Sequence, residues 1–207
     1  FRFHSFPVNQ LFVVQSGFPS FMQSTHHVGD VRDAEDYLKR LNAVGVKFDQ
    51  VLETLRRREE LGIHPPQFTV TKVIEEMRNF VAAPAEEGIL MTALLDKMEQ
   101  AGLAETDQQR IALEARSAIE NTVYPAYERL IDHFVALDDK VEGNYGAWSL
   151  PNGEEYYRFA LGIMTTTDYS PEYIHQLGLA EVDRIQNAIL EILRQEGWDV
   201  SGGFTAA

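Results

Sequence analysis

The chain has no cysteine among its 207 residues. Disulfides and thiolate metal sites are thereby excluded within it, while the cellular compartment stays open. Positive charge is scarce as well: 18 Lys and Arg stand against 32 Asp and Glu, a formal net charge of −14. A phosphate-backbone partner requires clustered cations, so this balance argues against nucleic-acid binding. The one basic cluster, Arg56-Arg57-Arg58, is followed at once by Glu59-Glu60 and reads as a solvated helix face. Long apolar runs are missing too. Leu11-Phe12-Val13-Val14 falls far short of the roughly 20 residues of a membrane helix. No signal-peptide pattern is visible, although a signal removed before Phe1 would leave no trace. Gly143, Gly146 and Gly153 are spaced wrongly for a P-loop or a dinucleotide fingerprint, and no Ser/His/Asp arrangement stands out. There is no internal repeat and no low-complexity linker.

What is present is an apolar content of 44%, enough to bury a core, arranged mostly at helical spacing. Residues 1–29 are rich in Phe, Ser, Gln and Gly and read as an irregular, aromatic-rich segment with room for one short helix. Residues 30–143 read as a helical region. Asp30 suits an N-cap, and Ala34, Tyr37, Leu38, Leu41, Val44, Phe48, Val51, Leu52 and Leu55 recur at helical spacing, predicting one long helix or two joined near Gly45. Gly62 with Pro65-Pro66 closes it. Short helices follow, one stopping before Pro84 and one from Ile89 to Met98. Thr106 and Gln109 fit a capping box, and Ile111, Ala115, Ile119, Val123, Ala126, Leu130, Phe134, Leu137 and Val141 predict a long helix, with Pro125 as a kink point. Gly143-Asn144-Tyr145-Gly146 breaks the pattern. In residues 144–207, Asn152 and Glu155 suggest a capped helix over Glu154 to Met164. Ser170-Pro171 starts a last helix carrying Ile174, Leu177, Val182, Ile185, Ile189 and Ile192 as far as Gly197.

The stretch from Gly146 to Ile189 holds the most specific pattern. Gly146-Ala147-Trp148-Ser149-Leu150-Pro151-Asn152-Gly153 leads through Tyr156-Tyr157 and Thr165-Thr166-Thr167 to a helix from Pro171-Glu172-Tyr173-Ile174-His175 to Glu181-Val182-Asp183-Arg184-Ile185. This resembles the bacterial DUF885 proteins, whose pattern is G-x-W-x-L-P-[DN]-G, Y-Y, T-T-T and P-E-x-I-H-x-L-G-L-x-E-V-x-R-I. Phe6 to Leu11, Gln15 to Met22, Asp33 to Leu38 with Arg40-Leu41, Pro65-Pro66 and Val123 to Tyr127 resemble family positions in the same order. The resemblance implies an all-α fold, part of a larger helical zinc-peptidase-like architecture, with an H-E-x-x-H helix expected downstream. No H-E-x-x-H occurs between Phe1 and Ala207. The chain therefore reads as the amino-terminal helical part of such a domain, with zinc expected for the full-length protein and no metal or cofactor ligands within residues 1–207.

None of the six histidines, His4, His26, His27, His64, His133 and His175, is paired at i, i+4 around a glutamate. His26-His27 are adjacent, a weak metal pair because neighbouring side chains diverge. His175 stands one turn into the last helix, with Glu172 three residues back and able to fix its tautomer. It is either a structural histidine bonded to a neighbouring loop or, as the resemblance implies, a group facing a substrate cleft. Glu181 and Arg184 form either a surface ion pair or a buried pair that orients other groups. Tyr156 and Tyr157 point about 100° apart on a helix, so that one joins a core while the other offers its hydroxyl to a cleft. Trp148 walls a site or plugs a helix junction. These six, Trp148, Tyr156, Tyr157, His175, Glu181 and Arg184, are the substrate-cleft candidates.

Two functions remain in view. One is the amino-terminal part of a zinc-dependent peptidase-like hydrolase, whose carboxy-terminal remainder supplies the catalytic groups and whose substrate is peptide-like. The other is a non-catalytic helical binding or scaffold protein that keeps the fold. An H-E-x-x-H motif in the remainder separates the two.

Overall fold

The computed structural model describes all residues except 2, 3, 12, 142, 144, 145 and 205–207, and no strand occurs among the described residues. Part of the apolar run at Phe12 and part of the predicted break at Asn144-Tyr145 lie outside them. Helices α1 (Val14–Ser24), α2 (Val31–Glu60), α3 (Gln67–Ala82), α4 (Ile89–Gln100), α5 (Glu105–Ala118) and α6 (Tyr124–Asp138) belong to one compact unit, Phe1–Pro151. Helices α7 (Gly153–Thr165) and α8 (Pro171–Gln195) belong to a second, Asn152–Ala207. The chain is all-α, as its periodicity predicts.

The first unit is organised by α2. Asp30 caps it, its carboxylate accepting from the Asp33 amide at 3.0 Å. All nine apolar residues that define its stripe are buried. They pack against α4, α5, α6 and the turn between the last two, while α3 packs on α6 and α4 on α1. No break occurs at Gly45. A Cβ there would stand 3.3 Å from Thr122 Cγ2, so the glycine serves the close approach of another segment. Gly62, at φ +70°, ends the helix with a left-handed residue.

The segment that approaches Gly45 is a π-turn, Ile119–Val123, inserted between α5 and α6. Pro125 cannot continue an ordinary ladder because it lacks an N–H and crowds the carbonyl four residues back. A π-turn is a known way of absorbing that conflict. The apolar row from Ile111 to Val141 is buried throughout. The predicted capping box at Thr106 is not formed. The cap is Ala104, two residues earlier, and Gln109 instead bonds Glu105 at 3.1 Å.

Polar side chains fasten the first residues to this core. Arg58, buried, donates from Nε to the Ser5 carbonyl at 2.9 Å, so this member of the basic cluster is not on a solvated face. His4 Nε2 bonds the Pro151 carbonyl at 3.0 Å, joining the two ends of the unit. Pro19 inside α1 has no N–H for the Gln15 carbonyl, and the hydroxyl of buried Tyr127 donates to that carbonyl at 2.6 Å. The helix defect and the buried tyrosine satisfy each other. Burial holds the Tyr127 phenol well above its ordinary pKa.

His26 and His27 do not form a metal pair. His26 is 4% exposed, its Nε2 bonds the Asp33 carbonyl at 3.1 Å and its Nδ1 bonds the Arg40 guanidinium, leaving no ring lone pair for a metal. The ammonium of Lys97 donates to the Met22 and His26 carbonyls at the end of α1. Burial is the main cause that holds His26, His64 and His133 below the ordinary histidine pKa.

Two outcomes follow from these contacts. Tyr127→Phe leaves the Gln15 carbonyl buried and unpaired, and should destabilise the chain by about 1–3 kcal/mol in a denaturant titration; an unchanged midpoint would mean that another donor takes over. The three histidines set a pH dependence. They stay neutral in the fold, while in the unfolded chain they take up protons as pH falls through 6.5, the reference value. Stability should therefore be full above that pH and decline below it, by at most about 1.4 kcal/mol per pH unit for each histidine, until the depressed folded values are passed. Melting curves from pH 8 to pH 5 check this, with a His64→Gln, His133→Gln double variant expected to be less sensitive.

Candidate functional site

Of the six candidates, Trp148 lies in the first unit and the other five in the second. Trp148 sits in a single 3₁₀ turn, Ala147–Ser149, and is 79% exposed. Its ring folds back over Gly146, where a Cβ would lie 2.3 Å from the indole, so only glycine permits this packing.

In the second unit α7 starts at Gly153, one residue before its predicted start. Asn152 is the cap residue, but it has φ 53° and its side chain makes no capping bond. An effective cap has an extended backbone, and the left-handed conformation turns the side chain away from the helix N–H groups. Tyr156 is half-buried and Tyr157 is 49% exposed, the divergence that consecutive helical positions impose.

Thr165-Thr166-Thr167 does more than link two helices. The Thr165 hydroxyl donates to the Leu161 carbonyl at 2.8 Å and lies 2.9 Å from the Thr167 hydroxyl. Thr166 ends α7 at φ 55°, a left-handed conformation that a β-branched residue adopts at a cost of roughly 1–3 kcal/mol. Such strain persists only where surroundings enforce it, and it collects at functional sites. Three adjacent threonines between two helices were the signal for it, but a sequence pattern does not disclose the sign of φ.

Helix α8 begins as predicted, with Ser170 accepting from the Tyr173 amide at 3.1 Å and Pro171 at the first position. Glu172 does not fix the tautomer of His175. Its carboxylate is engaged with a backbone N–H and with the Ser170 side chain, which hold it below the usual carboxylate range. His175 is exposed. Glu181 and Arg184 do meet: Nη2 lies 2.8 Å and Nε 2.9 Å from the same carboxylate oxygen, and this bond holds the Glu181 carboxyl below its usual range. The pair is exposed.

No residue of α8 is buried, although its apolar stripe is regular. Leu177, Glu181, Ile185 and Ile189 follow one another at steps of four, so they share one ridge of the helix. Glu181 thus stands inside the apolar row, at a position where periodicity calls for a hydrophobic residue. A carboxylate there, with its guanidinium partner one turn on, is the chemically distinctive feature of the unit. It was legible in the spacing once the row was drawn through it.

The family model described as "Bacterial protein of unknown function (DUF885)" matches residues 2–207, and the chain belongs to that family. A solved structure described as "The crystal structure of the putative lipoprotein from Colwellia psychrerythraea" is similar to it, with 26% identity and a TM-score of 0.87. The match covers 93% of this chain and 33% of that one, so the chain spans about a third of the length of this solved relative. No curated protein matches the chain.

Proposed function

We propose that this DUF885 chain is the amino-terminal helical part of a zinc-dependent peptidase-like hydrolase, in which the second unit forms part of the wall of a cleft for peptide-like substrates. The observation that carries this reading is the Glu181–Arg184 pair set into the uncovered apolar row of α8. Apolar ridges are covered in a finished helical fold, and an ion pair within one is desolvated when that happens. It then orients whatever polar groups meet it. The carboxy-terminal remainder of the protein is the covering partner in this reading, which the chain's span of about a third of its solved relative supports. His175 and the hydroxyl of Tyr157 would reach the cleft and contact substrate or the oxygen of a tetrahedral intermediate.

Among the described residues no group of three or more His, Asp or Glu side chains is placed to hold a metal ion. In this reading the zinc ligands and the general base belong to the carboxy-terminal remainder, which the lack of an H-E-x-x-H in residues 1–207 supports. In this reading residues 1–207 contribute binding and orientation. No helix of the described residues is long and apolar enough to cross a membrane.

In the longer protein, His175→Ala and Tyr157→Phe should each lower the rate of peptide hydrolysis by about a hundredfold, with the melting temperature nearly unchanged, because each removes a polar contact to a reacting group. Rates on a mixed library of short peptides, measured beside thermal melts, check it. Loss of stability at unchanged specific activity would assign both residues to helix joining. No hydrolysis by the wild type would favour the scaffold function.

A further inference from the structure

The first unit carries a further surface feature, away in sequence from the stretch Gly146 to Ile189. Between α1 and α2 lies an apolar groove of about 530 Å³. Phe18 and Phe21 of α1 form one wall; Val44 and Phe48 of α2 form the other. Pockets for small ligands have about this size, and they combine apolar walls with a few placed polar groups.

The polar groups here are two cations, Arg40 and Lys47. They share one face of α2 with Val44 and Phe48, at steps of four, three and one. Helix α1 carries no charged residue at all. No acid lines the groove, in a chain whose net charge is −14. Arg40 lies 5.4 Å from the centroid of the Phe21 ring and bonds neutral His26, which leaves other N–H donors of its guanidinium available. Asp36, one turn before Arg40, is engaged with Lys39 at 2.7 Å. Among the described residues neither Arg40 nor Lys47 makes an ion pair. Phe21, 40% exposed, keeps the groove open to solvent along α1.

We propose that this groove binds a fatty carboxylate, with the acyl chain between the α1 and α2 walls and the carboxylate on Arg40 and Lys47. Each half of such a ligand meets its complement: the chain leaves water for an apolar surface, and the anion meets Arg40 and Lys47, two cations at the groove with no acid lining it. Gly17 lines the groove, and a Cβ added there meets nothing within 4 Å, so a larger side chain at this position would take up open space.

Decanoate, below its micelle concentration, tests the proposal by isothermal titration of the 207-residue chain. The expected result is saturable binding at one site, weakened at least about tenfold by Lys47→Glu, which places an anion at the head-group end. Gly17→Leu should abolish binding while the melting temperature holds or rises, since leucine favours a helix over glycine. Should that variant not fold, Lys47→Glu decides the matter. The proposal is overturned by absence of saturable binding or by equal binding of decyltrimethylammonium. It is also overturned by full binding in Lys47→Glu or in a folded Gly17→Leu, or by a dimer that Gly17→Leu dissolves while decanoate has no effect, which would give the groove to a second copy of the chain.

Discussion

The first unit depends on burying the whole apolar stripe of α2 along its 30-residue length. A helix this long cannot hide its stripe against one short neighbour, so α4, α5 and α6 share the task, and the π-turn between the last two comes close to α2 where Gly45 lacks a side chain. The proline that enforces the turn, the glycine that accommodates it and the tyrosine that satisfies the Pro19 defect form one set of mutual dependences. Each local departure from regular helix is matched by a partner elsewhere in the unit. Consistency of this kind is what gives a sequence one packed state.

Much of this was legible in the sequence, for a definite reason. Apolar residues recurring at three and four residue steps must lie on one side of a helix, and in α2 and from Ile111 to Val141 every such residue is buried. The Asp30 and Ser170 caps were equally readable, since a short polar side chain before a helix has one good use. What escaped are features fixed by tertiary context. Thr106 and Gln109 fit a capping box, but the helix starts at Glu105 and takes Ala104 as its cap. Arg58 looked like its exposed neighbours until the first residues of the chain were seen to run over it. A π-turn has no sequence signature beyond the proline that follows it.

The candidate site was legible only in part. The spacing of three predicts that Glu181 and Arg184 meet, and they do. The pairing of His175 with Glu172 was equally allowed by spacing and is absent, because Ser170 and the helix N-terminus compete for the same carboxylate. The left-handed backbones of Asn152 and Thr166 belong to a class of information that residue identity rarely carries. The fatty-carboxylate groove shows the same limit. Arg40, Val44 and Lys47 sit on one face of α2 by simple counting, but that α1 stands across from them, uncharged and open at Gly17, emerges only from the fold.

The two units differ in one physical respect above all: the stripe of α2 is covered, and that of α8 is not. Amide hydrogen exchange on the chain reads that difference directly, since protection follows the free energy of the opening that frees each amide. Amides at the centres of α2 and α6 should exchange only through global unfolding, whereas those at the centre of α8 should exchange at least about a hundredfold faster, a gap of roughly 2.7 kcal/mol. Protection of α8 equal to that of α2 would contradict it, because it would mean that the row containing Glu181 is already buried in this chain.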